Sequence, residues 1–246
     1  MRADYAQVFQ NVDAVAKYTD VVYAPESYST HVNARQRAFL RGLVHESFKG
    51  RRPVQHDFAC GTGRAIRLLH GLVRECHGYD TSEAMLDSAR EAGVYATLHT
   101  VAENGPVPAP ATVDGPALVT MFRFLLNVPP EVRDRGIAFA AKALPDPDAG
   151  LLVIENHGNR QSLRHLAARR HAGKAWFSEL AHTEVVEHLD AHGFDLVDAR
   201  AFALSPDGAY RRGWSRPAAR VVDDVTARVP GLWRWGTDVL YVARRR

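Results

Sequence analysis

The sequence predicts an α/β protein built on a doubly wound, mostly parallel, seven-stranded sheet with a helical segment in front of it. Three observations carry that prediction. Short apolar runs alternate with helical patterns from Pro53 onward. Two of the runs, "PALVTMF" and "GLLVIEN", are nearly continuous, as suits central strands of a parallel sheet covered on both faces. A glycine turn, "DFACGTGR", joins the first run to a helix.

The elements follow in order. Up to about Lys49 the chain reads as helices and loops punctuated by Tyr5, Tyr18, Tyr23 and Tyr28. "PVQHDFA" is the first strand, Arg64 to about Leu72 a helix and "ECHGYD" the second strand, which together make a βαβ unit. Ser82 caps the next helix, whose Met85, Leu86 and Ala89 share a face, and Gly93 ends it. "VYATLHTV" is the third strand. The stretch "ENGPVPAPATVDG" is a loop, because its prolines remove donors and fix φ. "PALVTMF", a helix over Glu131 to Leu144, and "GLLVIEN" come next. A helix from Glu184 to Ala191, opened by Thr183 and closed by Gly193, precedes "FDLVDARAFAL", and "TDVLYVA" is the seventh strand. The domain reading is a helical lid over residues 1–50 and a sheet domain over 51–246, with an insertion at about 158–182.

Composition narrows the classes of function. The chain has 246 residues, 46% hydrophobic and 24% charged, which fits one α/β domain with additions. Its net charge of +3 comes from scattered arginines, with a triplet only at Arg244 to Arg246, and this argues against a nucleic-acid partner. Cys60 and Cys76 are the only cysteines, and no run has the length of a signal core or a membrane span. A cytoplasmic protein without a membrane is expected. Histidine and cysteine spacing matches no metal site, so none is expected.

In a doubly wound sheet, ligands bind beyond the carboxyl ends of the strands at the switch point, which is where the glycine turn lies. Gly61 and Gly63 permit positive φ and close approach, and Asp80, ending the second strand, can accept hydrogen bonds from ribose hydroxyls. A dinucleotide and S-adenosylmethionine (SAM) both fit this description. Three details favour SAM. Ile66 stands where a dinucleotide turn wants its third glycine, Asp57 suits an ammonium group better than a pyrophosphate, and a helical segment precedes the first strand.

"VQHDFACGTGRA" resembles the first motif of the class I SAM-dependent methyltransferases, and "HGYDTSEAMLDSAR" is similar to their second. With "LVTMFRFLLNVPPEVRDRGIAFAAKAL" and "GLLVIENHGN", the resemblance covers roughly residues 50 to 160 in order. It implies a Rossmann-like fold, SAM as cofactor and S-adenosylhomocysteine as product. It further implies that Asp57, Gly61 and Gly63 face the methionine part, Asp80 the ribose and Met85 the adenine. Ala102 would offer its backbone to the adenine edge, Phe122 would lie beside the cofactor, and Ala59, Cys60, Thr81 and the lid's Tyr18 complete the set. Two positions depart from the family's pattern: Ala59, where glycine is common, and Val101, where many members carry an acid that meets the adenine amine. Glu103 or a backbone carbonyl would substitute for that acid.

The acceptor site is expected after the fourth and fifth strands and under the lid. His157, directly after the fifth strand, is the first candidate for a base or an acceptor-orienting group, and His31 is the second. Tyr23, Arg123, Asn127, Arg160, Trp176 and Tyr210 are the candidate substrate-binding residues. The expected reaction is methyl transfer to a nitrogen or oxygen of a small molecule, in bacterial secondary metabolism. An RNA or protein methyltransferase and a non-catalytic SAM-binding protein are the alternatives. The acceptor's identity and the oligomeric state stay open.

Overall fold

Alternate residues of strand β5 (Gly150–Asn156) enter two different cores, which explains why its run from Leu151 to Ile154 is apolar. Leu151 and Val153 join one cluster, while Leu152 and Ile154 join the other. The computed structural model describes residues 27–168, 179–227, 229 and 231–246. Its other strands are β1 (Val54–Phe58), β2 (Glu75–Asp80), β3 (Thr97–Thr100), β4 (Ala117–Met121), β6 (Phe194–Ala203) and β7 (Asp238–Arg245). They form one seven-stranded sheet in the order β3-β2-β1-β4-β5-β7-β6. Strands β1 to β5 pair in parallel, and β7 runs antiparallel between β5 and β6. The chain winds outward from β1 to β3 and then crosses to β4, so the switch point lies between β1 and β4.

One face carries α1 (Tyr28–Phe48), α2 (Arg64–Leu69), α7 (Asp207–Arg211) and α8 (Arg216–Thr226). The helix α1 buries Tyr28, Val32, Gln36, Leu40, Val44 and Phe48, a stripe repeating every fourth residue. Ser27 caps it by accepting from the Thr30 N–H at 3.2 Å, and Lys49 ends it in the left-handed region. From Tyr28 onward the segment read as a lid is therefore a packed layer of the sheet as well as a neighbour of the cleft. The opposite face carries α4 (Pro130–Ala143) and α6 (His182–Ala191), which contribute Phe139, Val185 and Leu189 to its core. A smaller cluster of Cys60, Ile66, Cys76 and Leu86 seats α3 (Glu83–Glu91), and both cysteines are free and buried.

The predicted elements reappear with three differences. β3 covers Thr97–Thr100 rather than all of "VYATLHTV", because it is an edge strand with half-exposed residues. α6 starts at His182 because the Glu184 carboxylate accepts from the Ala181 N–H at 2.6 Å, so Thr183 lies inside the helix instead of opening it. The helices α5 (Leu163–Ala168), α7 and α8 were not predicted. In α8 the apolar Val221, Val222 and Val225 face outward and Asp223 faces inward, which inverts the usual pattern. Among the described residues no helix is long and apolar enough to cross a membrane.

Candidate active site

Asp57 leaves β1 fully buried, and its two carboxylate oxygens meet different fates. Oδ1 accepts from the Thr120 hydroxyl at 2.6 Å, and that hydroxyl accepts in turn from Gln55 Nε2 at 3.0 Å. Oδ2 is buried with no hydrogen-bond partner. Burial pushes the carboxyl up to about 7, against the Thr120 hydrogen bond and with the help of the nearby Asp80 charge. A buried acceptor without a donor marks a place where a ligand donor belongs.

The turn that follows passes through the left-handed region at Ala59 (φ 57°), Gly61 (φ 53°) and Gly63 (φ 78°). Alanine at 59 holds this conformation at a cost of about 1 kcal/mol. Gly63 serves packing as well, since an added Cβ there would stand 2.9 Å from Val94. Asp80 ties the turn down: its Oδ2 accepts from the Gly61 N–H at 2.7 Å and its Oδ1 from the Ser82 N–H at 2.9 Å. Burial raises the Asp80 carboxyl, opposed by these backbone donors and by Thr81. Three backbone donors leave the carboxylate with acceptor capacity for a ligand hydroxyl.

These residues open into a cavity of about 420 Å³ beyond the ends of β1, β2 and β4. Of the sequence-predicted cofactor residues, Asp57, Ala59, Cys60, Gly61, Asp80, Thr81, Met85, Glu103 and Phe122 line it. So do Arg123 and Asn127, predicted for the substrate. Gly63 shapes the turn from behind, and Ala102 gives its carbonyl to Arg135 at 2.8 Å outside the lining. Burial lifts the Cys60 thiol well above its usual range, which keeps it an uncharged packing residue.

The remaining candidates lie apart from the cavity lining. His157 follows β5 with its Nδ1 buried and unpartnered, and burial followed by the Arg123 charge pushes it down to about 3. Its imidazole is therefore neutral at physiological pH. His31 sits edge-on to Tyr210 at 5.2 Å, and burial with Arg220 and Arg35 lowers its pKa. Tyr210 is buried and donates to Asp223, while Arg35 donates to Asp224 at 2.9 Å and to the Tyr210 oxygen at 3.3 Å. Both residues thus brace α1 against α7 and α8. Arg160 is paired with Glu184 at 2.7 Å on the rim of a separate surface hollow. Tyr18, Tyr23 and Trp176 lie outside the described residues.

Sequence reasoning missed the buried charge network behind the cavity. Glu155 accepts from Arg64 Nη1 at 2.7 Å, from Gln36 Nε2 at 2.7 Å and from the Arg123 N–H at 3.0 Å. Burial, the largest single influence, would raise its carboxyl, but the charge and hydrogen bond of Arg64 together with the Arg123 charge bring it down to about 2. Arg64 also donates to Asn33 at 2.7 Å and lies over the Phe122 ring at 5.3 Å. The signal was present, since Glu155 is an acid in an otherwise apolar strand and such a charge needs a buried partner. Asn104 and Arg135 also line the cavity, and nothing in their local pattern singled them out.

Residues 56–134 match a family model described as a methyltransferase domain. No curated protein sequence matches the chain. Solved structures share its fold along nearly the whole length. Magnesium protoporphyrin IX methyltransferase from Synechocystis, with bound SAM, aligns with a TM-score of 0.60 at 14% identity, covering 99% of this chain and 98% of that one. A SAM-dependent methyltransferase from Thermotoga maritima aligns with a TM-score of 0.58 at 16% identity, covering 98% and 100%. The cyclase SpnF aligns equally well, at 0.58 and 16% identity over 99% and 97%. The seven-stranded arrangement is thus the class I methyltransferase fold, and the match to the methyltransferase domain model falls within it, over residues 56–134.

Proposed function

We propose that this chain, with its methyltransferase domain at 56–134 in the class I fold, moves the methyl group of SAM to a nitrogen or oxygen of a small molecule. The observation that carries the reading is the unpartnered Oδ2 of buried Asp57 at the cavity wall. An ammonium donor satisfies that oxygen and stabilises its charge, whereas a pyrophosphate would repel it. Ile66, buried at the start of α2, also removes the close helix approach that a dinucleotide turn needs.

The residues divide the cofactor among them. Asp57, Ala59, Cys60 and Gly61 would hold the methionine part, Asp80 and Thr81 the ribose, Met85 and Glu103 the adenine, and Phe122 would cover the middle. When bound, SAM supplies a methyl carbon already activated by its sulfonium. The chain's task is then to align the acceptor, exclude water and hold the acceptor's proton where needed. His157, neutral beside Arg123, suits an orienting hydrogen bond better than proton abstraction, because an imidazole with a pKa near 3 is a weak base.

Several features support a small acceptor. The cavity size lies in the range of small-molecule sites. Arg35, Arg64, Arg90, Arg160 and Arg246 are paired with acids of the chain itself, which leaves less positive charge for a phosphate backbone. Cytoplasmic location and a place in bacterial secondary metabolism complete the proposal. Fold alone does not fix chemistry, as the likeness to a cyclase illustrates. Calorimetric titration with SAM and with NADH tests the cofactor, and release of S-adenosylhomocysteine across a panel of amines and hydroxyl compounds tests the transfer. Micromolar SAM binding without NADH binding is expected, and NADH binding alone would overturn the reading. SAM binding with no turnover on any acceptor would favour a non-catalytic binder.

A further inference from the structure

The loop from Ala102 to Gly115 forms the rim of the cavity through Glu103 and Asn104, yet it has little means of holding its own shape. Pro106, Pro108 and Pro110 have no backbone N–H to donate, and the stretch contains no helix or strand. Side chains from neighbouring elements do the holding instead. Arg135 of α4 donates to the carbonyls of Glu103 at 2.6 Å, Ala102 at 2.8 Å and Pro106 at 3.0 Å. Further along, Lys142 donates to the Val107 carbonyl at 3.0 Å, and the Tyr79 hydroxyl accepts from the Ala111 N–H at 2.8 Å.

Tyr79 and Arg135 both line the cavity, but Arg135 bonds the part of the loop that carries Glu103 and Asn104, whereas Tyr79 bonds Ala111 further along. Its planar fork engages three carbonyls at once, which defines the loop's position more tightly than a single ammonium contact does. Its Nε is buried with no protein partner. The neighbouring wall residue is Val101, whose side chain has no hydrogen-bonding atom, which leaves Glu103, whose carbonyl Arg135 holds, and the adjacent Asn104 to meet a nucleobase amine on that wall.

We propose that Arg135 is a positioning residue for the nucleoside end of the methyl donor, holding residues 102–106 so that Glu103 and Asn104 accept from the adenine amine. This rests on the SAM reading above. The guanidinium acts through the loop, and the selectivity for an amine over a keto group at the base resides in the Glu103 and Asn104 acceptors it fixes. Lys142 anchors the part of the loop beyond the cavity and serves as the control.

The test is calorimetry with S-adenosylhomocysteine and with S-inosylhomocysteine, in which the base carries a keto oxygen in place of the amine. The wild-type protein is expected to prefer the adenosyl compound. Arg135→Ala should weaken that compound by about tenfold, the loss of one or two net hydrogen bonds, and should bring the two affinities together. Arg135→Lys should restore part of the preference, and Lys142→Ala should keep it. An unchanged preference in Arg135→Ala, or no preference in the wild-type protein, overturns the proposal. Failure of the wild-type protein to bind either compound overturns the SAM reading itself. Should Arg135→Ala not fold, Arg135→Lys and Arg135→Gln carry the comparison, and amide hydrogen exchange at 103–105 must rise in them for the proposal to stand.

Discussion

At the residue scale, Asp57 links the site to pH. Its carboxyl is raised to about 7 because burial disfavours the charge and only Oδ1 has a hydrogen-bond donor. Below that value the proton occupies the group and a cationic ligand loses its counter-charge. SAM affinity is therefore expected to fall by up to about tenfold per pH unit below pH 7, and to level off above it. Asp57→Asn should bind weakly at every pH and show no such slope. A slope that persists in the variant would assign the titration to another group. The sign for the free protein is opposite: with a folded pKa above the unfolded one, this residue favours folding as pH falls through 7 toward 4. Asp80 presents a different case, because its oxygens already hold the turn's backbone, so its replacement would disturb geometry as well as ligand contacts.

Among the elements, the first three strands carry a ladder of aromatic side chains on one face. His56 of β1 stacks on His77 of β2 at 5.5 Å, His77 on His99 of β3 at 5.4 Å, and Tyr79 on His99 at 4.7 Å. His56 lies beneath Phe139 of α4, and its Nδ1 faces the Tyr79 hydroxyl at 3.3 Å. Burial first, and then His77 and His99, push it down to about 4. The folded pKa lies below the unfolded value, so the contribution to stability is complete above about pH 6.5 and is lost as pH falls toward 4. Between pH 7 and pH 5, chemical denaturation is expected to show the wild-type protein losing about 2 kcal/mol more than His56→Gln. Equal losses in both proteins would remove the ladder as the cause.

On the scale of the whole molecule, Glu155 is the point where layers meet. Through Arg64 it holds the helix after the glycine turn, through Gln36 it holds α1, and through the Arg123 N–H it holds the strained residue after β4 (φ 54°). Arg64 is itself nearly buried, so removing the acid strands a cation away from water. Glu155→Gln is expected to destabilise the protein by about 3 kcal/mol in urea denaturation. A loss below about 1 kcal/mol would mean that the amide and Gln36 satisfy the guanidinium, and that the ion pair only balances its own desolvation.

What could be read from the chain was whatever depends on neighbours in sequence. The strand runs, the glycine turn and the Ser82 cap are local patterns, and they placed Asp57 and Asp80 near the ends of their strands, Gly61 in the turn and Met85 in the helix after β2 without a structure. The sequence by itself also determined a doubly wound α/β sheet through the alternation of apolar runs with helical patterns, while its resemblance to the class I methyltransferases implied the fold whose strand order the structure then displayed. Only the tertiary structure decided how the remaining charges are used. Arg35, Tyr210 and Arg160 proved to be paired within the scaffold, Arg135 reaches across to a loop some thirty positions earlier, and Glu155 finds Arg64 and Gln36 from two other helices. The physical reason is that apolar burial follows the periodicity of one element, whereas a hydrogen-bond partner is chosen by distance in space between elements that sequence spacing does not encode.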